Sequence, residues 1–137
     1  PVPFTAKGAA KTAAKLAGKS SARSGKTKVV IGENQGRVNA YAKKHDAYTI
    51  TDYLAGTGRD WDPDMNDAFM GLIQLSETEV IDIGPDFKRR KEFEDNVEGG
   101  QPPSKVYGSE RKTLKSSGLV TKAFERTGRL KGRVIDE

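Results

Sequence analysis

Glu79-Val-Ile-Asp-Ile-Gly-Pro-Asp86, running directly into Phe87-Lys-Arg-Arg-Lys91, is the stretch on which the reading of this 137-residue chain turns. Residues 80–83 form a short apolar run, and runs of this length read as buried strands. Gly84-Pro85 breaks the run as a turn would, and the residues after it look like a basic helix. Asp82 lies inside the run. A carboxylate there is costly unless it is paired, hydrogen-bonded or used, which makes Asp82 the first candidate for function.

Working outward, strand and helix patterns alternate. Val29-Val-Ile31 is a β-branched run, and Gly32-Glu-Asn34 turns it into a helix in which Val38, Tyr41, Ala42 and His45 share a face at i, i+3, i+4 and i+7. Residues 48–51 (Tyr-Thr-Ile-Thr) read as a second strand ending at Asp52, and residues 54–60 as a glycine-containing loop. Asp62 is placed as an N-cap with Pro63 at the first helical position, ahead of a stripe of Met65, Ala68, Phe69, Leu72 and Ile73. Residues 87–97 predict a short helix stopped by Gly99-Gly100, with Pro102-Pro103 resetting the chain. Helical patterns follow around 105–116 and 119–127, and Val134-Ile135 reads as a last edge strand. The expected fold is α/β: a small Rossmann-like β-α-β-α-β parallel sheet with right-handed crossovers and additional C-terminal helices.

Charge divides the chain in three. Residues 1–28 carry seven basic side chains and no acid; residues 29–104 carry 8 basic and 15 acidic; residues 105–137 carry 9 basic and 4 acidic. The middle is therefore acidic, and the C-terminal third is the better candidate for a phosphate-facing surface. Residues 1–28 form an Ala/Lys/Gly/Ser-rich segment in which Lys7, Lys11, Lys15 and Lys19 recur every four residues. Two readings are open for it: an arm for an anionic surface, or a linker to something upstream. The domain proper is placed at 29–137. No apolar stretch approaches the 18 residues or more of a membrane span, and no signal-peptide core is present. With no Cys and one His, disulfides, thiolate zinc sites and His-rich metal sites are excluded; a metal, if used, would be a hard ion such as Mg²⁺ on carboxylates.

In open α/β sheets the ligand crevice lies beyond the carboxyl ends of the strands. Glu33, Asn34 and Arg37 follow the first strand, Asp52 the second, and Asp82 and Asp86 lie in and after the third, so one rim gathers acids, an amide and a cation. Each has a structural alternative. Asn34 and Asp86 are well placed as N-caps, Glu33 as a complement to a helix dipole, and Asp82 as half of a buried pair with Arg37 or Arg89. His45 has the residue type for general-base chemistry near neutral pH, or it is a packed residue at a helix C-terminus. A second constellation is Tyr107-Gly-Ser-Glu-Arg-Lys112: Tyr107, Glu110 and Arg111 fall on one side of a helix, presenting an acid beside a phosphate-binding guanidinium, or an ordinary salt-bridged face. Pro85-Asp86 with Glu110-x-Lys112 also matches in letters the pattern of metal-dependent nucleases, but Glu110-Arg-Lys112 reads as helix where that fold requires a strand.

Val29-Val-Ile-Gly-Glu-Asn34, Arg37-Val38, Tyr41-Ala-Lys43, Ile81-Asp-Ile-Gly-Pro-Asp-Phe-Lys-Arg-Arg90, Val106-Tyr107 and Glu110-Arg111 together resemble the C-terminal toxin domains of bacterial polymorphic toxins, of the Rhs and contact-dependent-inhibition type. The resemblance covers roughly residues 28–130. It implies an interbacterial toxin carried by a larger delivery protein upstream, neutralised by a cognate immunity protein and acting in the target cytoplasm, commonly as a nuclease on tRNA, rRNA or DNA and less often on NAD.

Two chemistries are compatible with the residues. In a metal-independent ribonuclease, an acid or His takes the 2′-OH proton and Arg or Lys steadies the phosphorane. Catalytic candidates are Asp82, Glu33, Arg37, His45, Glu110 and Tyr107; substrate-binding candidates are Asn34, Asp86, Arg89, Arg111 and Lys112. In the alternative, a Rossmann-like enzyme acts on NAD or a nucleotide, with Glu33 on a ribose and Asp82 beside an oxocarbenium-like centre. Gly32-Glu-Asn-Gln-Gly36 is a poor phosphate loop for that role. A metal-dependent DNase and a binding module without catalysis are the remaining readings.

Overall fold

A computed structural model describes residues 27–137, so the expectations for the basic tail lie outside the described residues. Lys28–Ile31 forms β1 and Glu79–Asp82 forms β2, side by side and parallel, with Val29 opposite Val80 and Ile31 opposite Asp82. Val120–Lys122 forms β3, parallel to β2 on its other side, with Lys122 opposite Asp82. The mixed α/β architecture with a parallel sheet is thus present, in the order β1-β2-β3.

Both sheet faces are covered, and the alternation of a strand decides which residue goes where. Val29, Ile31 and Val80 pack with Tyr53, Phe69, Ile73 and Leu114, whereas Val30, Ile81 and Ile83 pack with Val38, Tyr41 and Ala42. The helices are α1 (Gln35–Lys44), α2 (Ile50–Thr57), α3 (Pro63–Leu75), α4 (Phe87–Glu94) and α5 (Lys105–Leu114). Asp62 caps α3 by accepting from the Met65 N–H at 2.7 Å, with Pro63 at the first turn as expected.

Three local expectations are corrected. The second strand does not form over 48–51. Tyr48 makes a single parallel bridge to Val29, and the chain then turns into α2, because Thr49 and Asp52 build a reciprocal capping box. That helix also takes half of the expected 54–60 loop and ends at Gly58 in the left-handed region. Residues 119–127 are not helical: β3 adds to the sheet, and Phe124–Gly128 forms β4. Finally, the last strand, β5 (Lys131–Val134), pairs antiparallel with β4 instead of edging the main sheet. The β-branched Val120-Thr121 pair and the tight Arg129-Leu130 turn that follows Gly128 outweigh the apparent helical spacing.

Gly84 sets how β2 leaves the sheet. Its φ is +89°, and a Cβ there would lie 2.5 Å from the Phe124 ring, so only glycine lets the strand turn beneath the hairpin.

Candidate functional site

Ile31, Asp82 and Lys122 are register partners at the carboxyl ends of three neighbouring strands, and they share the sheet face covered by α5. That helix starts at Ser104, whose hydroxyl accepts from the Tyr107 N–H. Its spacing puts Tyr107, Glu110 and Leu114 on the buried side and Arg111 just above them. The Tyr107 hydroxyl donates to Asp82 Oδ1 at 2.7 Å, and the Gly84 N–H donates to the same oxygen at 2.8 Å. The other oxygen, Oδ2, faces Arg111 Nε at 3.9 Å, beyond hydrogen-bonding reach. Asp82 therefore has one oxygen anchored by two donors and one left facing a cation. Its partners are Tyr107 and Arg111, not the Arg37 or Arg89 considered as alternatives.

Beside Asp82 Oδ2 opens a cleft of about 620 Å³ lined by Ile31, Leu114 and Val120 and by Arg111, Lys112, Lys115 and Lys122. Four cations thus face a single lining carboxylate. Burial pushes the Asp82 carboxyl up, outweighing the Tyr107 and Gly84 hydrogen bonds and the Arg111 and Lys122 charges that oppose it. Glu110 is 8 % exposed, and burial together with the Asp82 charge pushes it up to about 7. Burial, with Asp82 next, raises the Tyr107 hydroxyl well above its ordinary range, so it remains a donor. One cluster therefore holds a carboxylate acceptor, a carboxyl protonated near neutrality and a fixed hydroxyl, the pairing of environments from which acid–base roles are built.

Glu33 is used differently. It lies two residues past β1 with a fully buried side chain that accepts four hydrogen bonds: Asp86 N–H (2.9 Å) and Arg90 Nε (2.8 Å) at Oε1, Arg90 Nη2 (3.0 Å) and Ser104 N–H (2.9 Å) at Oε2. Burial alone would raise this carboxyl; the Arg90 bidentate pair and the Ser104 and Asp86 N–H groups reverse that and hold it below the usual range. The same contacts fix where α4 and α5 begin. Asn34 caps α1 through the Arg37 N–H and donates to Asp86, while Asp86 caps α4 through the Arg89 N–H. Asp86 is held below its ordinary range because the Arg89 N–H and Asn34 bonds overcome burial. Arg89 reaches the Pro102 carbonyl at 2.8 Å.

The expected rim is thus partly assembled. Glu33, Asn34, Asp82 and Asp86 meet at the ends of β1 and β2, and Tyr107, Glu110, Arg111 and Lys112 join from α5. Asp52 is not on this rim; its carboxylate is the capping box of α2. Arg37 turns to Glu137 (2.6 Å), and His45 stacks on Tyr41 and bonds the Asp136 carbonyl at 2.7 Å, so neither lines the Asp82 cleft. Asp86 and Glu110-x-Lys112 sit on two helices, without the adjacent strands of the metal-nuclease pattern. Lys115, Lys122 and Arg90 were not singled out from sequence. Lys115 follows Lys112 at i+3 and was legible; Lys122 and Arg90 depend on pairings that only the folded chain makes. Comparison with protein-family models, curated proteins and solved structures found no match to this chain.

Proposed function

We propose that this chain is an interbacterial toxin effector domain that cleaves RNA without a metal, with tRNA or rRNA of the target cytoplasm as substrate. The observation that carries the reading is Asp82, held by the Tyr107 hydroxyl and lining a cleft walled by four cations, with the buried Glu110 carboxyl close behind it. In this reading Asp82 Oδ2 takes the proton from the ribose 2′-OH. The 2′ oxygen attacks phosphorus, the P–O5′ bond breaks, and the products are a 2′,3′-cyclic phosphate and a 5′-hydroxyl. The departing 5′ oxygen is assigned its proton from a lysine ammonium of the lining, Lys112, Lys115 or Lys122. Glu110, protonated near neutral pH, lies behind the lining and limits the negative charge beside Asp82. Arg111 and Lys122 oppose the charge that builds on the phosphorane. The resemblance to polymorphic toxin domains supports the larger setting: a delivery protein upstream and a cognate immunity protein that blocks the domain.

The NAD reading has less support. A dinucleotide's pyrophosphate would sit at the turn from β1 into α1, where the carboxylate of Glu33, saturated by its four donors, adjoins the Asn34 cap. Brief expression of the full chain in bacteria without an inhibitor tests the two together. Cleaved tRNA or rRNA with intact NAD is expected. NAD loss with intact RNA overturns the ribonuclease reading, and normal growth removes the toxin reading. Asp82→Asn should abolish toxicity while retaining the wild-type circular dichroism spectrum; a folded variant that still kills refutes the assignment of Asp82.

A further inference from the structure

We infer that the Asp82 cleft takes one nucleotide of an unpaired RNA strand, with little preference for base identity, and does not take duplex RNA. The inference rests on the ribonuclease reading for its chemistry but concerns which form of RNA can enter. Asp82 lies at the base of the cleft with its side chain only 3 % exposed. The cleft's volume of about 620 Å³ falls within the roughly 300–1,000 Å³ of pockets that enclose a single small molecule. A paired A-form helix keeps its bases stacked and presents a shallow minor groove, so it cannot lower one ribose onto a recessed carboxylate. An unpaired nucleotide can be splayed out and inserted.

The lining describes the ligand further. Ile31, Leu114 and Val120 offer an aliphatic wall for the flat face of a base. No Asn, Gln, Ser, Thr or aromatic side chain lines the cleft among the described residues, so the amide pairing that reads adenine and the aromatic stacking that ranks bases are missing there. Arg111 and Asp82 face each other, and the lysines are assigned to phosphate and not to guanine edges. Lys112, Lys115 and Lys122 form no ion pair among the described residues and are left for backbone phosphates, where lysine acts as a point charge. Affinity should thus come from phosphate neutralisation and from fit, not from sequence.

The test is fluorescence anisotropy with the full-length Asp82→Asn protein and a 5′-labelled 12-nucleotide RNA, single-stranded or annealed to its complement. A second arm uses wild-type protein and the same strand carrying 2′-O-methyl groups, which cannot be cleaved and which removes dependence on the variant's folding. The single strand should bind at least tenfold more tightly than the duplex, and permuting its bases should change affinity less than threefold. The log–log salt slope, about −0.7 for each phosphate contact on single strands, should become shallower by about 2 when Lys112, Lys115 and Lys122 are all changed to Ala. Equal or tighter duplex binding in both arms, or binding to neither form, overturns the inference. If the strand binds as described yet wild-type protein leaves an unmodified strand intact, the ribonuclease reading falls and the binding inference stands.

Discussion

Glu110→Gln isolates a single buried proton. Burial and the neighbouring Asp82 charge lift the Glu110 carboxyl from an ordinary 4.5 to about 7, so between those values the folded protein holds a proton that the unfolded chain has released. Stability falls with pH wherever the native state binds more protons. This group's contribution is therefore fully present below 4.5 and is lost as pH rises through 7. At about 1.4 kcal/mol per unit, the loss by pH 8 is about 3 kcal/mol. Gln copies the neutral acid in shape and cannot ionise. The variant should match wild type at pH 4.5 and exceed it by about 3 kcal/mol at pH 8, read as a rise of about 1–3 M in the urea midpoint at ordinary m-values. Glu33 and Asp86, both lowered, titrate in both proteins and cancel in the difference. Asp82 is coupled to Glu110 by charge, so the comparison is repeated in an Asp82→Asn background, where a smaller gap of the same sign should remain from burial. A gap between the two proteins that does not change from pH 4.5 to 8 would refute the argument that Glu110 is buried as the acid.

Glu33→Gln leaves Arg90 without its bidentate partner and should cost about 3 kcal/mol or more in urea unfolding at pH 7, the usual penalty for halving a buried pair. Because Glu33 is depressed, its contribution is complete above the ordinary carboxylate range and fades as pH falls, so the deficit should narrow towards acid. Gly84→Ala meets the Phe124 ring at a positive φ and should destabilise by more than about 2 kcal/mol, whereas Ala at exposed Gly108, inside α5, should stabilise by about 0.5–1 kcal/mol.

What could be read from the sequence was whatever local pattern controls. β1, β2, α1, α3 and α4 follow from β-branched runs, helical stripes and caps that act within a few residues. Asp82 stood out because a charge interrupted an apolar run, and Tyr107, Glu110 and Arg111 fell on one helix face by spacing alone. Residues 48–51 and 119–127 misled because a side-chain-to-backbone cap and a sheet partner, neither visible in apolar spacing, decided them. Glu33 reads as a catalytic candidate or a complement to a helix dipole because its four donors come from residues 86, 90 and 104, distant in sequence. His45 had the right chemistry and the wrong end of its helix, with α1 carrying it away from the strand ends that hold Asp82.

The Glu33 junction also governs how the molecule opens. The Ser104 N–H and the Glu33 carboxylate are 71 residues apart, and between them lie α1 to α4 and β2. Closing so long a loop is entropically unfavourable until the intervening elements have docked. The first turn of the cleft helix is therefore fastened by a contact that forms once β2 has paired with β1 and the helices between them have docked. Amide exchange at Ser104 should accordingly follow global unfolding, although terminal helical turns ordinarily fray. Such exchange would mark the start of the cleft helix and the β1–β2 pair as one cooperative unit, in which the site forms with the sheet and not before it.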